Sequence, residues 1–234
     1  MSGTESLKRA AAREAVALVE RGMRLGLGTG STVAHFLDLL AERIQAGELD
    51  QVMGVPTSVH TRERCGELGI PVAELHELAP LDLAVDGADE VDPSVDLVKG
   101  MGGALLREKM VAAEARRFVI IADDRKAVRH LGERSPVPVE VVPFAWQVHV
   151  PCLQDLGAEP VLRRDASGEP ERTDTGNVIL DCRFPSGLDD PRATDAELRD
   201  RPGVVETGFF LDMASTAFLA GSSGVRVIQR AGGP

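Results

Sequence analysis

Along the first third of the chain, apolar positions recur at helical spacing and then collapse into short continuous runs. Leu7, Ala11, Ala15 and Leu18 fall on one side of a predicted helix over 5–21. Met23 to Leu27 is a short apolar run of the buried-strand type, and Val33 to Ile44 returns to helical spacing. Further strands are expected at 52–55, 72–75, 81–85, 96–98 and 118–122, with a helix over 61–68 and another opening after Gly103. Helices alternating with apolar strands predict an α/β fold with a mostly parallel, Rossmann-like sheet.

The pattern changes after Arg134, where Ser135-Pro-Val-Pro138 reads as a boundary. Beyond it the spacing predicts strand (139–142), helix (145–156), strand (160–164), strand (177–184), helix (194–200) and strand (204–210). The polar stretch 165–176 would form a hairpin loop between the central strands. This βαββαβ order is that of a smaller, ferredoxin-like α+β domain. A last helix over 213–220 and a strand over 225–228 would return to the first domain. The expected division is therefore 1–132 plus 208–234 for the larger domain and 133–207 for the smaller one.

Composition narrows the class. The 234 residues are 43% hydrophobic and 27% charged, which is globular rather than disordered; only 3% are aromatic and none is Tyr, so the core must rest on aliphatic side chains. The net charge of −11 and the lack of a basic cluster argue against a nucleic-acid partner. No apolar stretch reaches 18 residues and no signal-type segment is evident at the start, so no membrane partner is expected. Cys65, Cys152 and Cys182 are far apart and odd in number, which reads as reduced thiols in a cytoplasmic protein.

Candidate chemistry concentrates between Asp86 and Lys109. Asp86-Gly87-Ala88-Asp89 follows an apolar strand, which places Asp86 at the strand's C-terminal end, where open α/β sheets bind ligands. The alternative is an ordinary Asx turn; Glu90 and Asp92 extend the acidic run and are expected to be solvated. Lys99-Gly100-Met101-Gly102-Gly103 comes after another short apolar run and is expected at the same sheet edge. In the helix that follows, Ala104, Glu108, Val111 and Ala115 share one stripe, and no residue three or four places away can pair with Glu108. A desolvated carboxylate of this kind has a raised pKa and suits a general base, although an acid near a helix start also stabilises the helix by itself.

Upstream, Gly26-Leu-Gly-Thr29-Gly30-Ser31-Thr32 sits between a strand and a helix and offers free N–H groups and hydroxyls to an anion. It lacks the third glycine of a dinucleotide fingerprint and the lysine of a Walker A loop, and as a simple turn it would need no ligand. Asp123-Asp-Arg-Lys126 follows the 118–122 strand, so Lys126 can add positive charge at that edge or sit in a solvated loop; Lys8 on the first helix has the same standing. The five histidines show no metal-ligand spacing, and no GxSxG or HExxH motif occurs.

Taken together, GLGTGSTVAHF (26–36), GVPTS (54–58), DGADEVD (86–92), KGMGGALLREK (99–109), ADDRK (122–126) and GNVILD (176–181) resemble type A ribose-5-phosphate isomerase, in that family's order and over nearly the whole chain. The resemblance implies interconversion of D-ribose 5-phosphate and D-ribulose 5-phosphate through an enediolate, in the non-oxidative pentose phosphate pathway, without metal or other cofactor, in a homodimer or homotetramer. It further implies that Glu108 is the proton-transferring base and that Asp86 assists ring opening, with Asp89 alongside. Lys99 and the backbone of the 100–103 turn would stabilise the enediolate oxygen, and Thr29–Thr32, Lys126 and Lys8 would contact the substrate. Met101 departs from the glycine that many members carry there, so its side chain would either narrow the pocket or point away. Two other readings stay open: an isomerase or deaminase for another sugar phosphate, and a non-catalytic sugar-phosphate sensor.

Overall fold

The computed structural model describes residues 3–231. Its centre is a six-stranded sheet built from β1 (Arg24–Leu27), β2 (Met53–Pro56), β3 (Leu83–Asp86), β6 (Phe118–Asp123), β12 (Thr216–Gly221) and β13 (Gly224–Gln229), in the order β13-β12-β6-β3-β1-β2. All neighbours run parallel except the terminal β12–β13 hairpin.

Alternate residues of these strands feed two cores. Leu25, Leu27, Leu83, Val85, Val119 and Ile121 pack beneath α1 (Gly3–Val16), α2 (Ser31–Gln45) and α3 (Val59–Leu68). Ala84, Phe118, Ile120 and Ala122 face α5 (Leu105–Ala113), with Leu105, Val111 and Ala112 against them. Burial on both faces is why the strands read as unbroken apolar runs rather than as alternating ones.

A second, antiparallel sheet contains β7 (Val137–Val141), β8 (Glu159–Leu162), β9 (Val178–Arg183) and β10 (Val204–Thr207), in the order β10-β7-β9-β8. With α6 (Val150–Asp155) after β7 and α7 (Pro191–Arg199) after β9, this is the ferredoxin-like arrangement, and it has a core of its own around Val139, Leu153, Leu180 and Leu198.

Several expectations are corrected. Residues 213–220 are not a helix but mostly strand β12, buried on both sides against β6. The expected strand at 72–75 is reduced to one bridge, Gly54 to Val72, and the chain turns at once into the one-turn helix α4 (Leu75–Leu78). The strand expected over 204–210 breaks at Gly208, whose N–H donates to Pro138 and whose carbonyl accepts from Lys99; beyond it, β11 (Phe209–Phe210) joins a small sheet with β4 (Glu90–Val91) and β5 (Leu97–Val98). Lys99 therefore leaves this three-stranded sheet and not the large one. Nor is Glu90 solvated. It is wholly buried and accepts from the N–H groups of Gly132, Arg134 and Ser135 at 2.6–2.7 Å, tying down the crossing to the smaller sheet. Asp92 is half-buried and closes a turn through Ser94 and Asp96 N–H.

Candidate functional site

The cleft opens at the C-terminal ends of β1, β3 and β6. From β1 the chain runs on one side to β2, and from β3 on the other to β6, so the cleft lies at the sheet's switch point, where open α/β sheets bind ligands. It is lined by Thr29 to Thr32, Gly87 to Asp89, Lys99, Gly100, Gly102, Glu108, Ala122, Asp123 and Lys126.

Asp86 ends β3 and turns back under the β1 loop. Its Oδ1 accepts from Thr29 N–H at 3.0 Å and Gly87 N–H at 2.7 Å. That approach requires glycine at 28, because a Cβ there would stand 2.2 Å from Asp86 Oδ1. Thr29 Oγ1 is in turn held by the hydroxyls of Thr57 and Ser58, both at 2.8 Å. Helix α2 then starts at Ser31 with no side-chain cap, leaving its first N–H groups facing the cleft mouth. Uncapped donors at a helix start form an anion site.

Lys99 is the hub of the floor. Its ammonium donates to Gly87 O at 2.7 Å and lies 3.0 Å from Asp86 Oδ2 and 3.2 Å from Glu108 Oε2. All three side chains are almost wholly buried. Burial pushes the Lys99 ammonium down, but Asp86 and Glu108 outweigh it and hold the group above its usual range. Phe210 adds its ring face 5.4 Å from Nζ.

Glu108 lies in the first turn of α5. The expectation that it is unpaired holds along its own helix but not across the fold, because Lys99 reaches it from β5. The contact is an ion pair without a well-directed hydrogen bond, so Oε2 has no hydrogen-bond partner among the described residues. Burial and then the nearby Asp86 charge raise its pKa to about 8, more than the attraction of Lys99 lowers it. Burial raises Asp86 as well, against the pull of Lys99. Two carboxyls compete for one cation, and one of them is poised to take up a proton near neutral pH.

The turn 100–103 has left-handed backbone at Gly100 (φ 110°) and Gly103 (φ 77°) but not at position 101. Met101 is therefore tolerated; its side chain is half-exposed, lies outside the cleft lining and rests its sulfur 3.9 Å from Arg163. Asp89 Oδ2 accepts from Met101 N–H at 3.0 Å, and Gly103 N–H closes the turn onto Gly100 O. The N–H groups of Gly100 and Gly102 have no protein partner among the described residues, and both glycines line the cleft. Lys126 stands at the rim, partly exposed and 3.9 Å from Asp89. Lys8 is paired with Glu5 on its own helix at 2.8 Å and is not among the lining residues. Asp123, read from sequence as part of a charged loop, is instead the buried last residue of β6.

Sequence reasoning missed the residues that brace this site from the smaller sheet. Asp174, in the 163–177 loop, accepts from Val59 N–H at 2.8 Å and from Arg107. Lys109 is buried and donates to Glu206 at 2.7 Å and Thr207 O at 2.8 Å. Arg107, Glu108 and Lys109 thus take hold of three separate places from three successive positions. In the sequence the one hint was a lysine next to the candidate base; its burial shows only in the fold.

A family model described as ribose 5-phosphate isomerase A (phosphoriboisomerase A) matches residues 53–224. A ribose-5-phosphate isomerase A of Roseiflexus castenholzii is 53% identical over 218 residues, covering 93% of each chain. A solved D-ribose-5-phosphate isomerase in complex with phospho-erythronic acid superposes with a TM-score of 0.94 at 41% identity, covering 97% of this chain and 100% of the other. The ribose 5-phosphate isomerase A of Methanocaldococcus jannaschii gives a TM-score of 0.91 at 40% identity, covering 96% and 99%.

Proposed function

This chain belongs to the ribose 5-phosphate isomerase A family, and from that premise we infer how its cleft divides the work of the reaction. The protein is an aldose–ketose isomerase of the pentose phosphate pathway, interconverting D-ribose 5-phosphate and D-ribulose 5-phosphate. The net change moves one hydrogen from C2 to C1 and one hydroxyl proton from O2 to O1.

Glu108 is the base. As carboxylate it removes the C2 proton of the open-chain aldose, and as the acid so formed it returns a proton to C1. A pKa near 8 lets one group do both at neutral pH, since neither the loss nor the gain of the proton is strongly uphill. The charge that leaves C2 collects on O1 as an enediolate; the O2 proton then passes to O1, so that protonation at C1 leaves the carbonyl at C2. Lys99, with the unpartnered N–H groups of Gly100 and Gly102, stabilises that oxygen; donors fixed in advance in a dry site are worth most where charge develops. Asp86 handles the sugar hydroxyls during ring opening, with Asp89 holding the turn. The phosphate lies at the open end of the cleft, on the uncapped start of α2 with Ser31, Thr32 and Lys126. A similar isomerase was solved with phospho-erythronic acid, whose phosphate and carboxylate on one short carbon chain fit a site with two anion-binding ends.

The observation that carries the reading is the shared cation: one buried ammonium between two buried carboxylates, on the floor of a cleft whose mouth is a helix N-terminus. We place the boundary of the smaller unit near 132 and 207, where Glu90 grips the outgoing chain and Gly208 the returning one. We also place the protein in the cytoplasm, which the three unpaired cysteines, two of them buried, support, as a homodimer or homotetramer. Exposed Phe144 and Val148 on the smaller unit offer an apolar surface for self-association. No described helix is long and apolar enough to cross a membrane.

The test is ketose formation from ribose 5-phosphate in excess EDTA, with Glu108→Gln in parallel. Wild type should turn over, and the variant should lose about 10²–10⁴-fold in kcat. A variant with near-normal kcat would remove Glu108 from the role of base.

A further inference from the structure

The segment Gly176 to Asp181 takes no part in the chemistry above, yet its far end reaches the catalytic turn through one residue. Asp181 binds Arg163 in a two-pronged pair, Nε to Oδ2 at 2.9 Å and Nη2 to Oδ1 at 2.5 Å. The remaining nitrogen, Nη1, donates to Gly100 O at 2.9 Å and to Met101 O at 3.2 Å. The Arg163 side chain is 9% exposed. A planar guanidinium fixed on one edge by a carboxylate is a rigid donor on the other.

We propose that Arg163, clamped by Asp181, is a positioning residue that orients and polarises the turn stabilising the enediolate. The carbonyl of Met101 and the N–H of Gly102 belong to one peptide unit. A cation on that carbonyl draws charge through the amide and strengthens the N–H as a donor into the cleft. The Gly100 carbonyl shares its peptide unit with Met101 N–H, which Asp89 holds on the cleft side, so that unit is pinned at both ends. Lys99 immediately precedes the pinned segment. The smaller unit thereby contributes to the reaction without touching substrate. The proposal rests on reading the 100–103 turn as the oxyanion stabiliser.

The experiment compares Arg163→Met, Arg163→Lys and Asp181→Asn in the full chain, with Glu108→Gln as reference. It follows kcat, KM, thermal midpoint and inhibition by phospho-erythronic acid and by inorganic phosphate. A misaimed turn should lower kcat in Arg163→Met about 10- to 100-fold with KM changed less than about threefold. Inhibition by phospho-erythronic acid should weaken by a similar factor, while inorganic phosphate inhibits as in wild type. Arg163→Lys should recover part of the kcat, and Asp181→Asn should fall between Arg163→Met and wild type.

A kcat within about twofold of wild type in Arg163→Lys and Asp181→Asn overturns the proposal even if Arg163→Met fails to fold. Equal weakening of both inhibitors also overturns it, because it marks collapse of the cleft. If Glu108→Gln is inactive while the Arg163 variants are normal, only this proposal fails. If Glu108→Gln is fully active, the reading of the site fails with it.

Discussion

Glu108 Oε2 stands 3.2 Å from Lys99 Nζ, with the carboxylate on α5 of the large unit and the ammonium just past a strand of the three-stranded sheet. The pair is charged on both sides only while Glu108 is deprotonated, and burial together with Asp86 resists that state. In the free enzyme kcat/KM should therefore rise with pH through about 8, the limb belonging to the coupled carboxyl pair. Removing the Asp86 charge removes a like-charge repulsion, so in Asp86→Asn the residual activity should show its limb at lower pH. A pH–rate profile of both proteins decides it, and an unmoved limb would detach Asp86 from the titration.

The same shift has a stability consequence of definite sign. The folded carboxyl binds its proton more tightly than the usual 4.5, so between about 4.5 and 8 the native state holds more protons than the unfolded chain. This group's contribution to stability then falls as pH rises across that window and is flat beyond it. Glu108→Gln lacks the term, so its thermal midpoint relative to wild type should climb from pH 5 to pH 9. A difference that stays constant over that range would contradict the assignment.

Lys126, partly exposed at the rim, is the cation proposed above for the phosphate. Its interaction is the same in ground and transition states, so Lys126→Ala should raise KM roughly 5- to 20-fold and leave kcat within about threefold. Because the charge is solvent-facing, the ratio of wild-type to variant kcat/KM should shrink as salt rises.

Positions 100 and 101 should respond in opposite ways. Met101 points out of the cleft from ordinary backbone, so Met101→Gly should keep kcat within about threefold. Gly100 has φ 110°, and an added Cβ would press to 3.0 Å on Leu105 Cβ. Gly100→Ala should store roughly 1–3 kcal/mol of strain in the turn and lower kcat with little change in KM. Steady-state kinetics on the two variants side by side is the check.

Glu90 has a structural role, unlike the acids of the same motif proposed above to act on the substrate. Glu90→Ala would strip three N–H groups of their acceptor, one buried and two partly buried, and should cost on the order of 3 kcal/mol in denaturant unfolding. Each active-site side chain remains, so kcat per folded molecule should hold.

Much of this was legible in the chain. Asp86 and Glu108 each follow a local signal, a strand end or a helix start, that fixes where they emerge; Lys99 also follows a strand, but one of the small three-stranded sheet and not of the large one. What failed did so for physical reasons. Residues 213–220 carry Ala214, Ala217 and Ala220 at helical intervals, and a strand buried on both faces has no alternation to contradict them. The Gly221-Ser-Ser-Gly224 turn was the hairpin signal that outweighs that spacing. Glu90 looked solvated because a run of acids usually is, and its acceptor role depends on backbone more than 40 residues away. Arg163 gave no signal, since one of two adjacent arginines at the end of a predicted strand means nothing until the smaller sheet is folded against the turn.

Arg107, Glu108 and Lys109 hold, in turn, the long loop, the cleft and the second sheet. A helix moored on both flanks cannot roll to re-aim its middle residue without casting off from one side. Transplanting the acid–lysine motif onto another doubly wound scaffold would copy the tools without the vice that grips them. For anyone building or trimming such an isomerase, the portable unit is the whole two-sheet body.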